Sequence, residues 1–277
     1  MKPLKPLIVC ACLSLSISSV SFADEKLFPT DILDTGEFDL EFGVNHQSGS
    51  RDVVSNNDLG HQSSHLTSES ITARYGLGND WQIGLTAPYN SQSVTRTNYT
   101  HPAVQFTNTS NQGSVNPSLF AKYGILENRS SPWSLSTTLL VSPDTSNKSA
   151  TEYEGIVALG YKSSDSLRYY SELTGGVYEQ DSNADRLNIS FGAYKNISSC
   201  ITLVPHVGFT EFSSTNTSNS FSQYDVGLAS QIQIIPNTYL IPVANYFSNS
   251  SVDSKNSSFH ASSSNGTSIT LSLYHLF

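Results

Sequence analysis

Two arrangements in this 277-residue chain could do chemistry. The first is His46-Gln47-Ser48, repeated as His61-Gln62-Ser63. Residues two apart on an extended strand share a face, so His46 could serve as the base that activates Ser48 for nucleophilic attack. The second is a set of ten charges, Glu37, Asp39, Glu41, Arg74, Lys122, Glu154, Arg168, Glu172, Arg186 and Asp225. Each has the parity opposite to the apolar residues of its own segment. Carboxylates and cations brought together on one enclosed face form either a structural ion network or the selective lining of a narrow pore. In a chain this rich in Ser, chance His-x-Ser pairs are expected, so catalysis is not the leading expectation. Asp144, Asp181 and Asp185 lie in polar loops without metal-ligand spacing. No metal, cofactor or phosphate-binding Gly loop is expected.

The elements that must position these charges are strands. Phe38, Leu40, Phe42 and Val44 share one face and Asp39, Glu41 and Asn45 the other, the two-residue period of a ribbon with one apolar side. The same period recurs from Ile71 to Leu77, Trp81 to Tyr89, Leu119 to Ile125, Trp133 to Val141, Tyr153 to Tyr161 and Leu167 to Val177. It returns from Leu187 to Ala193, Ile201 to Phe209 and Tyr224 to Ile232, then around Tyr239 to Phe247, whose facing the pattern leaves open, and last in Thr267 to Phe277. These are twelve strands. Short turns, such as Gly78-Asn79-Asp80, alternate with longer polar loops, among them 46–68, 91–114 and 248–265. Pro205 cannot donate to a ladder, so a bulge is expected there.

The chain is 37% hydrophobic and only 13% charged, against about 25% charge in ordinary soluble proteins. Its strands need one lipid-compatible face and one polar face, the composition of a membrane barrel. Residues 1–23 read as a secretory signal, with Lys2 and Lys5, an apolar stretch too short to span a bilayer, and Ser21-Phe22-Ala23 at the cleavage positions. Removing that segment, which holds two lysines and no acid, takes the net charge from −9 to −11, which argues against nucleic acid. Cys200 alone of the cysteines would remain, so no internal disulfide can form. Later stretches fall short of the roughly 18 apolar residues of a membrane helix. Crossing by strands requires closure, because an open sheet edge cannot face hydrocarbon. The expectation is an all-β fold: a single antiparallel up-and-down transmembrane barrel over residues 24–277. It would be monomeric, with outer-membrane lipid and lipopolysaccharide around it and both termini in the periplasm. The aromatic-ended segment Thr267–Phe277 would be read by the barrel-insertion machinery.

ARYGLGNDWQIGLTAPYN (73–90), PSLFAKYGILENRSSPWSLSTTLLVSPDT (117–145) and TGEFDLEFGVNHQ (35–47) resemble a recurring pattern in a family of Gram-negative outer-membrane proteins. That family is labelled "MetA-pathway of phenol degradation" and is transporter-like. The resemblance covers about half of residues 24–277. It departs at Gly113-Ser114, where Gly-Asp is the family pattern, and in the Ser- and Asn-rich loops. It implies a barrel that passes small, often hydrophobic or aromatic compounds, and supplies no site residues. Separately, His46 and Ser48 resemble the pair of outer-membrane phospholipase A, although Gly49 stands where that motif has Asn. Three functions are therefore carried forward: a channel or transporter, a structural or surface-interaction barrel, and a lipid hydrolase using His46 and Ser48.

Overall fold

The computed structural model describes residues 27–55, 58–100, 104–110, 116–126, 131–145, 150–179, 185–215, 218–255 and 260–277. The expected signal segment lies outside them. Twelve strands form the wall: β1 (Phe38–Ser55), β2 (Asp58–Gly78), β3 (Trp81–Tyr99), β4 (Ser118–Leu126), β5 (Trp133–Ser142), β6 (Glu152–Ser164), β7 (Leu167–Tyr178), β8 (Arg186–Ser198), β9 (Ile201–Phe212), β10 (Phe221–Ile235), β11 (Thr238–Asn249) and β12 (Ser264–Leu276). Each pairs antiparallel with its neighbours in sequence, and β12 pairs with β1, from Asp39 opposite Leu276 to Ser50 opposite Asn265. The sheet is therefore a closed cylinder. Twelve strands about 4.8 Å apart and tilted by about 40° give a backbone diameter of about 24 Å.

Tight turns gather at one end. The β2–β3 turn has Gly78, Asn79 and Asp80 at φ 86°, 51° and 63°, left-handed values that suit Gly, Asn and Asp. Asn237, at φ 61°, does the same between β10 and β11. The register runs unbroken past Pro205, with Leu203 opposite Lys195 and His206 opposite Gly192, and the irregularity falls at Ile201–Thr202 instead. The expected bulge at Pro205 is therefore absent. Its side chain faces outward.

At the loop end the polar stretches are strand, which corrects the reading of 46–68 as a loop without periodicity. β1 continues to Ser55 and β2 resumes at Asp58, with Val54 opposite Leu59. β3 runs on to Tyr99, and Val104–Ser110 folds back against it. Val252–Asp253 and His260–Ala261 pair with each other, and the latter pairs with β1. A crossing strand needs about 9–11 residues. β1, β2 and β3 have 18, 21 and 19, so they rise past the apolar belt as a polar ribbon. Both faces of that ribbon can be polar because water, not lipid, surrounds it. No apolar alternation was needed, and none marks it in the sequence.

The apolar rows lie on the outside of the cylinder. Phe42, Ile71, Leu85, Leu139, Leu173, Val226 and Leu271 are all exposed. Among the described residues, the largest fully buried side chains are Tyr274, Val53, Asp39 and Ser136, and Asp39 and Ser136 are polar. The fold is inside-out, as hydrocarbon around a closed barrel requires. The eleventh strand now has a facing: Tyr246 points out at 48% exposure, while Tyr239 and Phe247 point in, at 4% and 8%. Trp81, Tyr75, Trp133, Tyr161 and Tyr169 are exposed near the turn end, and Trp81 packs at a tilt against Tyr123 and Trp133 against Tyr161. This is the interfacial girdle. Leu173→Arg, at mid-depth on the lipid face, is expected to destabilise the barrel by about 2–4 kcal/mol. Urea unfolding in phospholipid vesicles measures that loss.

Candidate functional site

The lumen at the turn end is occupied by the chain's own Leu27–Asp34 segment, which precedes β1. Five strands hold it through side chains of inward parity. Tyr194 on β8 donates to Leu27 O at 3.0 Å. Ser136 on β5 donates to Pro29 O at 3.3 Å, and Ser134 bonds Thr30 Oγ1 at 2.6 Å. Lys122 on β4 donates to Asp31 O at 2.7 Å. Gln82 on β3 accepts from Leu33 N at 3.1 Å. Arg168 on β7 places Nη2 2.7 Å from Asp31 Oδ1 and its guanidinium 3.7 Å above the Phe28 ring. Phe28 meets Tyr194 and Tyr170 edge-on at 4.9 and 6.1 Å. Leu33 packs with Tyr239, Tyr274 and Leu276. Contacts from strands on well-separated parts of the wall converge on eight residues only if those residues sit within the cylinder. The segment is a plug. Burial pushes the Asp31 carboxyl above its ordinary value, against the pull of Arg168 and Lys122.

Of the ten charges read from parity, the structure brings most into two groups. In the first, Arg74 Nε lies 2.8 Å from Asp39 Oδ1, and its Nη2 lies 3.6 Å from Glu41. Tyr274 donates its hydroxyl to Asp39 Oδ2 at 3.1 Å. Lys122, Arg168 and Glu172 surround the plug. A cavity of about 210 Å³ remains beside it, lined by Arg74, Lys122, Glu172, Phe120 and Thr138. In the second group, toward the loop end, Arg186 on β8 pairs with Glu154 and, at 2.9 Å, with Glu152, both on β6. It reaches them across Gly176 on β7, where a Cβ would fall 3.1 Å from Arg186 Cγ. Asp225 stands apart, on β10 and with no ion-pair partner among the described residues. Glu37 lies one residue before β1, and its carboxylate accepts from Asp34 N at 2.7 Å; it joins neither group.

Sequence reasoning missed the plug with its Asp31, and, separately, Glu152 in the second charge group. A signal was present. Tyr170, Tyr194 and Tyr274 have the polar parity, so three large rings point inward and need something to pack against.

His46 and Ser48 face outward together, but on strand β1 rather than in a loop. His46 Nδ1 bonds Thr67 Oγ1 at 3.0 Å, and Ser48 Oγ bonds Thr267 Oγ1 at 3.2 Å. The pair is not brought together as base and nucleophile. His61, also on a strand, lies 2.9 Å from Asp52. Among the described residues no group of three or more His, Cys, Asp or Glu could hold a metal ion. Of the three loop aspartates, Asp144 and Asp185 are among the described residues and Asp181 lies outside them.

A closed twelve-stranded antiparallel cylinder with an apolar exterior and a polar, charged interior is a transmembrane β-barrel of the outer-membrane type. One solved structure in particular shares the architecture. An outer-membrane channel from Pseudomonas putida F1 matches 90% of this chain and 98% of its own, at 10% identity and a TM-score of 0.57. The NanC porin matches 81% of this chain and 98% of its own, at 12% identity and a TM-score of 0.48. A FadL homologue from Pseudomonas aeruginosa matches 91% and 95%, at 9% identity and a TM-score of 0.46. At these identities the likeness is one of fold. No family model and no curated protein matches the sequence, so the MetA-type pattern of the hairpins remains a resemblance of motifs.

Proposed function

We propose that the protein is a gated channel for small solutes in the outer membrane of a Gram-negative cell, with the turn end in the periplasm and the Leu27–Asp34 plug closing its resting state. The observation that carries this reading is a polar lumen stopped at one end by a short segment held through separable polar contacts. A barrel with only a structural task has no need of such a stopper; side chains alone could fill it. The inward rows are rich in Ser, Thr, Asn and Gln, which favours polar solutes over the hydrophobic or aromatic compounds of the family resemblance. The inward charges then act as a selectivity surface. The shared structure of the Pseudomonas putida channel supports the architecture this reading needs. In planar bilayers the full chain should give rare, brief openings. Membranes that stay silent for wild type, Arg74→Ala and Arg168→Ala alike would sink the proposal.

A surface-interaction role is the second reading, and the ribbon of β1–β3 favours it. The ribbon's outward face carries His46, His65, His61 and Asp52, with His46 and His65 stacked at 6.2 Å. Shortening the tip between Ser50 and Ser63 separates the readings. A channel keeps its openings without the tip, whereas an adhesin loses attachment to cells or surfaces.

A further inference from the structure

On one wall of the lumen Asn245 Oδ1 has no donor and Asp225 no cation among the described residues, while His206 Nδ1 lies 3.4 Å from Val204 O. His206 on β9, Asp225 on β10 and Asn245 on β11 all point inward. Gly227 stands opposite both His206 and Asn245, and Gly208 stands opposite Asp225. The missing side chains let His206 and Asn245 both lie over Gly227, and Asp225 over Gly208, two residues along β9 from His206. A Cβ on Gly227 would fall 2.5 Å from His206 Nε2 and would strike Asn245 Oδ1; one on Gly208 would fall 2.5 Å from Asp225 Oδ1. The Asn245 amide nitrogen donates to Ser268 Oγ at 3.4 Å, but its Oδ1 is buried and accepts nothing. Gln231 Oε1 and Asn249 Oδ1, on the same two strands, are also buried and unanswered. A buried acceptor without a donor has lost its bond to water with nothing in exchange.

Charge points the same way. Toward the loop end, Arg186 is held by Glu152 and Glu154, and Arg51 donates to Gln62 Oε1 at 2.7 Å, three strands round the wall from Asp225. At the other end Arg74 pairs with Asp39 and Glu41 and Arg168 with Asp31, and Lys122 donates to the Asp31 carbonyl. Asp225 is left without an ion-pair partner among the described residues, on the strand that lies between those of His206 and Asn245. A primary ammonium brings three N–H donors and one positive charge, which is what this wall lacks. An anion would meet only repulsion from Asp225, and a neutral diol would leave that charge unpaired.

We propose that the His206–Asp225–Asn245 wall is a binding subsite for small organic cations of the primary-amine class. The assignment names the solute class of the same lumen and rests on its being open to solutes. The test is calorimetric titration of the full chain in detergent micelles with 1,4-diaminobutane, 1,4-butanediol and succinate. Saturable binding of the diamine alone is expected. Asp225→Asn should weaken it by about tenfold or more. Asn245→Ala, which removes no charge, should weaken it too, whereas Asp165→Asn in an exposed turn should not. Equal affinity for Asp225→Asn and wild type, no diamine binding, or succinate binding as tightly as the diamine would each overturn the assignment. Binding is read at equilibrium, so a membrane without openings defeats the channel reading and leaves this one standing. A conducting pore that binds no amine does the reverse.

Discussion

Arg168→Ala should raise the open fraction of the channel by about 10–100-fold in planar bilayers. The guanidinium makes two of the contacts that seat the plug, the pair to Asp31 and the stack on Phe28. Breaking a buried pair costs about 3–5 kcal/mol. Both groups here keep some exposure, 26% and 17% of their side chains, so the cost is discounted to about 1.5–3 kcal/mol. Every 1.4 kcal/mol moves a two-state equilibrium about tenfold, which gives the stated range. Arg168→Lys keeps the charge but loses the planar fork over the ring, and should fall between wild type and Ala. Deleting Leu27–Asp34 should open the mouth outright and hold it open. Unchanged openings in all three variants would mean that the plug is fixed packing.

Arg74→Ala should produce the largest loss of stability among the lumen substitutions. Asp39 is fully buried at 0% side-chain exposure, and its remaining partner is the Tyr274 hydroxyl. Removing the guanidinium strands a carboxylate with Glu41 on the same strand face, at a cost of about 3–5 kcal/mol. The double variant Arg74→Ala/Asp39→Ala removes the stranded charge as well. It should therefore be more stable than Arg74→Ala alone, a coupling of the kind that double-mutant cycles resolve. Urea unfolding in vesicles checks both. A double variant that simply adds the two single losses would show that the pair carries no interaction of its own.

The wall of this barrel was legible in the sequence because lipid enforces a strict rule. Ile71 and Leu173 had to face out, and Arg74 and Glu172 had to face in; one residue of slip would invert them all. That same rule governs only the belt. Beyond it, His46, Thr67 and His61 belong to strands that water lets be polar on both faces, and no periodicity betrays them. Leu27 to Asp34 is not a strand at all. Its apolar residues answer inward rings on distant strands, a match that exists only once the cylinder closes. The eleventh strand stayed ambiguous for a related reason. Tyr239 and Ile241 point inward because the plug gives them something apolar to cover, so both of its faces read as greasy.

The most direct test of the cylinder itself uses the native tryptophans. Trp81 and Trp133 are the chain's two tryptophans, each 45% exposed on the outer girdle at the turn end. In vesicles of lipid brominated on the upper acyl chain, both should be quenched strongly, while a water-soluble quencher confined to the lumen side should reach neither. Tryptophan emission untouched by brominated lipid, yet sensitive to the aqueous quencher, would mean that the apolar rows do not meet hydrocarbon and that the barrel is not a membrane protein.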